Sequence, residues 1–167
     1  MTHRLFVANR GEIALRIIRS AQAMGLETVL GVSSADVGSL AAQRANHVVV
    51  LGPAQARDSY LDAVLVVHAA KETGCTALHP GYGFLSERAE LAELCRREGL
   101  LFVGPEPESI RAVGDKLSAR ALARQAGVPL TSGSEKVGDV AQALTIAQDI
   151  GYPVITKASA GGGGRGM

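Results

Sequence analysis

The sequence predicts an α/β protein in which a Rossmann-like parallel sheet is covered by helices on both faces. Between residues 5 and 103, short apolar runs of strand length alternate with segments in which apolar residues recur every three or four positions. The strand-like runs are apolar throughout, which is typical of parallel strands buried on both faces. In such sheets ligands bind outside the carboxyl ends of the strands. We therefore expect the loops that begin at Asn9, Ser33 and His79 to gather at one edge.

Five strands and four helices are predicted in this first part of the chain. The strands are predicted at residues 5–8, 27–32, 48–51, 76–78 and 100–103. The first helix, over residues 12–24, carries an apolar stripe that leaves Arg16 and Arg19 on the surface. The members of the stripe are Ile13, Ile17, Ala21 and Met24.

The other three helices are predicted from residues of the type that cap helix N-termini. Ser33–Asp36 is predicted to cap a short helix that includes Leu40 and Ala41. Ser59, with Asp62 three residues later, predicts a capping box, and Ser86 is the predicted cap of the fourth helix. The predicted inward residues are Leu61, Val64, Leu65 and His68 in the third helix and Leu91, Leu94 and Cys95 in the fourth.

The pattern changes after Gly104 and Pro105, which predicts a second domain. Helices are predicted at 106–113, 116–125 and 140–150, with a polar loop at 131–138. Val154 and Ile155 then favour an extended strand. The predicted domains are residues 1–113 and an incomplete second domain over residues 114–167.

The composition disfavours several classes of protein. A net charge of +1, three Phe, three Tyr and no Trp argue against a nucleic-acid-binding surface. No stretch approaches the roughly 18 apolar residues of a membrane helix, and the N-terminus does not have the pattern of a signal peptide. Cys75 and Cys95 form no C-x-x-C pair and are predicted to be buried thiols. We therefore expect a cytoplasmic protein.

The last stretch of the chain predicts a binding site for nucleotide phosphates. Lys157 ends an apolar run, and Gly161–Gly164, Arg165 and Gly166 follow it. Glycines let backbone N–H groups form an anion-binding concavity, and lysine adds a compact positive charge. Lys116 stands at a helix start, where the helix dipole disfavours a cation, so it is a second candidate for an anionic ligand.

Other interpretations of the glycine run stay open at this point. A glycine run is often a flexible linker. The Walker A pattern is not met, because Arg165, Gly166 and Met167 stand where its lysine and hydroxyl are required. The dinucleotide pattern G-x-G-x-x-G is met by Gly161, Gly163 and Gly166, but any glycine run meets it easily.

Seven strings cover essentially the whole chain in the order and spacing of one family. They are ANRGEIALRI (8–17), SSAD (33–36), SYL (59–61), HPGYGFLSE (79–87), GPEPESIRAVGDK (104–116), AGVP (126–129) and GYPVITKASAGGGGRGM (151–167). On these strings the chain resembles biotin carboxylase, the ATP-dependent component of acetyl-CoA, propionyl-CoA and pyruvate carboxylases. The resemblance implies a pre-ATP-grasp domain followed by the truncated start of an ATP-grasp domain.

The resemblance also implies a ligase activity and a set of site residues. The family carboxylates biotin on a carrier protein, using ATP, bicarbonate and magnesium through a carboxyphosphate intermediate. The implied ATP contacts are Lys116, Lys157, Gly161, Gly162, Gly163, Gly164, Arg165 and Gly166. The implied substrate-side loop, near bicarbonate and biotin, contains His79, Gly81, Tyr82, Gly83, Phe84 and Glu87.

Partners and missing parts follow from the same resemblance. The implied partners are a biotin carboxyl carrier protein, a carboxyltransferase and a second copy of the chain, with a place in fatty acid biosynthesis. The family's magnesium ligands and catalytic residues lie beyond Met167, so no catalytic residue or metal ligand is predicted within the chain, and the chain alone is expected to be inactive. The alternatives are another pre-ATP-grasp ligase, such as a carbamoyl-phosphate synthetase, and a non-catalytic Rossmann-like interaction module.

Overall fold

The computed structural model describes residues 3–114, 116–134 and 137–156, apart from the side chains of residues 116 and 117. The chain forms two compact units, one ending at Arg111 and one beginning at Ala112. The strands of the described residues are β1 Arg4–Val7, β2 Glu27–Ser33, β3 His47–Gly52, β4 Ala77–His79 and β5 Leu101–Phe102. The α-helices there are α1 Gly11–Ala23, α2 Leu40–Arg44, α3 Ala63–Glu72, α4 Ala89–Arg97, α5 Pro107–Gly114, α6 Lys116–Gln125 and α7 Val140–Ile150.

The five strands form one parallel sheet in the order β3-β2-β1-β4-β5. β1 lies at the centre, and Phe6 in it pairs with Val29 of β2 on one side and Leu78 of β4 on the other. Leu5, Phe6 and Val7 are all buried, as expected for a strand covered on both faces. The predicted parallel α/β sheet is therefore confirmed.

Helices α1 and α2 cover one face of the sheet. Ile17 and Ile18 of α1 pack in one core cluster with Val7 and Leu30 of the central strands. The prediction that Met24 joins this stripe is wrong, because its side chain is 76% exposed. The helix ends at Ala23, and the chain turns away at the next residues before the stripe reaches Met24. Arg16 and Arg19 are exposed, as predicted.

Helices α3 and α4 cover the other face, where they pack on Phe6, Val29 and Leu78. In α4 the predicted inward residues Leu91, Leu94 and Cys95 are buried. Of the predicted inner face of α3, Leu65 packs partly against the core, but Leu61, Val64 and His68 are exposed, so the rest of that prediction is wrong. The residues of α3 that face the core are Ala63, Val66, Val67, Ala69 and Ala70. Three of these residues are alanines, whose small side chains let the helix lie close to the sheet. A prediction based on the spacing of large apolar residues does not identify such a face.

The three N-caps predicted from the sequence, Ser33–Asp36, Ser59 and Ser86, are also wrong. The observed N-cap residues are Ser39 for α2, Asp62 for α3 and Arg88 for α4. Asp62 Oδ1 accepts a hydrogen bond from the Leu65 N–H at 2.9 Å. Ser59 instead donates its hydroxyl to the Gln55 carbonyl at 2.9 Å, within the turn before the helix. Ser59 and the Ser33–Asp36 turn therefore make other contacts, and the caps are residues closer to the helices.

The second unit contains α6 and α7 at the predicted positions. Asp139 caps α7 by accepting a hydrogen bond from the Gln142 N–H at 2.8 Å. The strand predicted at Val154 and Ile155 is not formed, and Ile155 is 73% exposed. A strand requires a pairing partner, and no other segment of the described residues supplies one. None of the helices within the described ranges is long and apolar enough to cross a membrane.

Candidate functional site

Three loops meet at the carboxyl edge of the sheet, because β2, β1 and β4 are neighbours. They follow Val7, Ser33 and His79. The backbone N–H of Ala8 donates to the carbonyl of His79 at 2.9 Å, so the loops after β1 and β4 start in contact. The structure thus brings together the loops that the sequence assigns to the ligand-binding edge.

Asn9 links the first of these loops to the third. Its side chain is 0% exposed, and its Nδ2 donates to the carbonyl oxygens of Pro80 at 2.7 Å and Tyr82 at 2.9 Å. Its Oδ1 accepts from the Arg10 N–H at 2.9 Å. A buried amide whose donors are both used stabilises one arrangement of its partners, since any other would leave polar groups unsatisfied.

Asp36 is the centre of a second polar cluster, between the loops after β1 and β2. Its Oδ2 accepts hydrogen bonds from Tyr60 Oη at 2.7 Å, Ser33 Oγ at 3.0 Å and Arg10 Nη1 at 3.3 Å. Burial opposes ionisation of Asp36, but these donors outweigh it and hold the pKa of the carboxyl below its ordinary value. Burial and the hydrogen bond to Asp36 raise the pKa of Tyr60. The cluster is therefore a carboxylate with a neutral phenol and a guanidinium.

His79 ends β4 and begins the substrate-side loop predicted from the sequence. Its Nδ1 accepts a hydrogen bond from the Gly81 N–H at 3.0 Å. Burial, together with the nearby charge of Arg16, lowers the pKa of His79 below its ordinary value. The imidazole is therefore neutral near pH 7, with its proton on Nε2 and its Nδ1 free to hold the loop backbone.

The loop itself has an unusual backbone and one exposed aromatic ring. Gly81 and Gly83 have φ of 68° and 69°, and Phe84 has φ of 46°, a conformation uncommon for a residue with a Cβ. The Phe84 ring stacks on Tyr60 with centroids 5.3 Å apart. Tyr82 lies between these points and is 67% exposed. The exposed Tyr82 ring, on a loop whose backbone is bonded to Asn9, has an apolar face and a phenol that a small molecule could contact.

The remaining predicted site residues have different outcomes. Glu87 is exposed on the same loop, just before α4. Lys116 begins α6, but its side chain lies outside the described parts of the structure. Lys157, Gly161, Gly162, Gly163, Gly164, Arg165 and Gly166 lie outside the described residues as well. Their contact with a nucleotide, and the convergence of the two lysines, stay predictions.

Sequence reasoning missed three residues that organise this edge, namely Asn9, Asp36 and Tyr60. It placed the loops that contain Asn9 and Asp36 at this edge, because residues that directly follow buried parallel strands lie there. It assigned neither side chain a contact, and it gave Tyr60 no role. The partners of Tyr60 were not accessible to that reasoning, because Phe84 and Asp36 are each 24 residues away along the chain.

Comparison with known protein families decides the relationship. The model for the N-terminal domain of biotin carboxylase matches residues 1–110, more than half of the chain. The chain belongs to the biotin carboxylase family. A second model, for the ATP-binding domain of the carbamoyl-phosphate synthase L chain, matches residues 115–167. Because the biotin carboxylase match covers the first 110 residues, it separates the chain from the other ligases considered as alternatives.

Curated relatives and a solved structure agree with this family. Biotin carboxylase 1 of Bacillus subtilis is 48% identical over 168 residues, which cover 100% of this chain and 37% of that protein. The mitochondrial methylcrotonoyl-CoA carboxylase subunit alpha of Oryza sativa is 49% identical, over 98% of this chain and 22% of its own. This chain therefore spans well under half the length of these biotin carboxylase relatives.

The solved structure is the biotin carboxylase domain dimer of the 2-oxoglutarate carboxylase from Hydrogenobacter thermophilus, with MgADP, ADP and bicarbonate. It superposes with a TM-score of 0.89 at 42% identity, over 99% of this chain and 36% of that chain. A similarity of this extent and identity shows that this chain has the fold of the corresponding part of that biotin carboxylase domain.

Proposed function

We propose that the chain forms the N-terminal part of an ATP-dependent ligase that carboxylates biotin on a carrier protein. The enzyme uses bicarbonate, through carboxyphosphate. The observation that carries this proposal is identity of 48–49% to biotin carboxylases over the complete chain, together with the three loops assembled at the carboxyl edge. A carboxyltransferase then receives the carboxyl group. The same proposal implies a cytoplasmic homodimer that serves fatty acid biosynthesis.

The two parts of the chain have different roles in this proposal. Residues 1–113 form the pre-ATP-grasp domain, and residues 114–167 begin the ATP-grasp domain. Lys116 and Lys157 bind phosphate oxygens of ATP, and the segment from Gly161 to Gly166 covers them with its backbone amides. Bound MgATP supplies the phosphoryl group that activates bicarbonate. Charge neutralisation and positioning are what phosphoryl transfer requires of a protein, and lysines and backbone N–H groups provide both.

The loop from His79 to Glu87 is proposed as the substrate side of the first domain. Its exposed Tyr82 and the hydrogen bonds from Asn9 to its backbone support this role, since a binding surface gains from being held in one conformation. The solved relative contains bicarbonate, a substrate of the proposed reaction, and MgADP, the nucleotide that remains after MgATP has given up its phosphoryl group.

The test is ATP binding by a full-length biotin carboxylase that carries this sequence. Lys116→Ala and Lys157→Ala are each expected to weaken ATP affinity by about 1.5–3 kcal/mol, the magnitude of a lost charge-assisted contact. Lys71→Ala is the matched control, because its Nζ binds the Glu98 carbonyl on the exposed surface. Unchanged ATP affinity in both variants would remove the assigned role of the lysines.

Activity assays separate this proposal from a non-catalytic interaction module. The full-length protein is expected to hydrolyse ATP in a biotin-dependent way, whereas the 167-residue chain alone, which spans 37% of its Bacillus relative, is expected to show no such turnover. No biotin-dependent turnover in the full-length protein would favour the interaction module.

A further inference from the structure

We propose that Asn9 is a positioning residue that sets the conformation of the loop over residues 79–87 and thereby presents Tyr82 to the biotin substrate. This inference rests on the proposed function. Asn9 is buried beneath the loop and does not reach the surface, so it acts on the substrate only through the backbone it holds. Its partners, Pro80 and Tyr82, are 71 and 73 residues away along the chain.

The chemistry of the contact requires an amide at this position. The two groups that Asn9 faces in the loop, the carbonyls of Pro80 and Tyr82, are both acceptors, so the side chain must supply two donors. A carboxylate of the same shape would place negative charge against two carbonyl oxygens. The third contact, from the Arg10 N–H to Oδ1, requires an acceptor on the other branch. Only an amide satisfies all three contacts at this size.

The backbone approaches the amide as closely as glycine allows. A Cβ at Gly81, which lies between the two bound carbonyls, would come within 2.7 Å of Asn9 Nδ2 and 2.7 Å of Ile13 Cγ2. Gly81 also has φ of 68°, which favours glycine independently. Asn9 and Gly81 therefore form one close contact, and a change on either side displaces the loop.

A second contact holds the far side of the same loop. Phe84 stacks on Tyr60, whose hydroxyl accepts from the Ser33 N–H at 2.9 Å and donates to Asp36. Tyr82 lies between this stack and the Asn9 contact. Asn9 follows β1, whereas Tyr60 lies between β3 and α3 and is bonded to Ser33 and Asp36 after β2. Two separate segments of the first unit therefore hold the loop that carries Tyr82.

The experiment compares Asn9→Asp and Asn9→Ala in a full-length biotin carboxylase that carries this sequence, with free biotin as the variable substrate. We expect the KM for biotin to rise about tenfold, the effect of losing two buried hydrogen bonds. The KM for ATP is expected to stay within about twofold, because a displaced loop leaves nucleotide binding intact. Hydrogen–deuterium exchange of residues 79–87 is expected to increase, while exchange in β2 and β3 stays unchanged.

Asn46→Asp is the matched control for the change from amide to carboxylate. Asn46 Oδ1 accepts from the Thr28 N–H at 3.0 Å and from Thr28 Oγ1 at 2.8 Å, beside the starts of β2 and β3. A carboxylate keeps these acceptor roles. We therefore expect the KM for biotin, the KM for ATP and the hydrogen–deuterium exchange of residues 79–87 to stay unchanged.

Each outcome decides the proposal. Equal increases in both KM values, or unchanged exchange in the loop with unchanged biotin KM, would overturn it. If neither Asn9 variant folds, Gly81→Ala displaces the same contact from the loop side and should raise the biotin KM and the loop exchange alike; no change in either would overturn the proposal. If the unsubstituted enzyme shows no biotin-dependent turnover, the proposed function fails, and the exchange measurement alone still shows whether Asn9 holds the loop.

Discussion

Replacing Gly81 by alanine tests how tightly the loop over residues 79–87 is packed on Asn9 and Ile13. The matched substitution is Gly83→Ala, because the two glycines have nearly the same φ, 68° and 69°. A Cβ at Gly83 would meet no atom within 4 Å, whereas a Cβ at Gly81 would lie 2.7 Å from both Asn9 Nδ2 and Ile13 Cγ2. The difference between the two variants therefore isolates the close contact from the backbone strain.

The expected magnitudes follow from these two terms. Placing a Cβ in the left-handed region costs about 1–2 kcal/mol, which is the whole effect expected for Gly83→Ala. Gly81→Ala adds the displacement of two packed side chains, about 1–3 kcal/mol. With a typical urea m-value of about 2 kcal/mol/M, the midpoint for Gly81→Ala should lie about 0.5–1.5 M below that for Gly83→Ala.

The assay can be confined to the first unit of the 167-residue chain. Cys75 and Cys95 are both buried there, so a brief pulse of a thiol reagent at each urea concentration reports the unfolded fraction of this unit. Adding Asn9→Ala to Gly81→Ala should destabilise less than the sum of the single changes, because truncation removes one of the two clashes. Equal midpoints for the two glycine variants would show that Asn9 and Ile13 yield easily, and would refute the reasoning.

Three further predictions concern other parts of the sheet. Burial lowers the pKa of His79, so the contribution of this side chain to stability is complete above the ordinary pKa of about 6.5 and is lost as the pH falls through the lowered pKa. Between about pH 7.5 and pH 5 the urea midpoint should therefore fall more in the unsubstituted chain than in His79→Asn. Equal falls in the two proteins would contradict this. Burial raises the pKa of Cys95 to about 11, and both cysteines are buried, so thiol reagents at about pH 8 should label neither in the native chain and both in denaturant; rapid native labelling would disagree. Gly31→Ala would place a Cβ 2.8 Å from Phe6 Cζ and should destabilise by about 1–3 kcal/mol, whereas Gly38→Ala, with open space around it, should have a much smaller effect in the same urea titration.

Apolar patterns predicted the strands of the sheet and the inner face of α4 correctly, but they were wrong for Met24, for most of the inner face of α3 and for a strand at Val154 and Ile155. The caps predicted from a single residue type were all wrong. β1 and the inner face of α4 were predicted because several large apolar residues agree on the same burial. The caps at Ser59 and Ser86 were wrong because a capping-type residue ahead of a helix does not by itself fix where the helix begins, and the observed N-caps are Asp62 and Arg88. Ser59 is held by the Gln55 carbonyl, a contact that no N-cap pattern contains.

The candidate site was also predicted only in part. The sequence predicted that the loops after β1, β2 and β4 share one edge, since parallel strands end on the same side. It also named the members of the loop from His79 to Glu87 through a family resemblance. It did not predict that Asn9 and Tyr60 hold that loop, because the partners of a buried amide or a phenol depend on the crossing of distant segments.

By itself, the sequence determined the α/β class, the parallel sheet and the family, because each depends on patterns repeated along the whole chain. Only the tertiary structure decided which polar residues are buried at the carboxyl edge and what they bind. A buried donor must find its acceptor in three dimensions, and Asn9 finds the carbonyls of Pro80 and Tyr82 across more than 70 residues of chain.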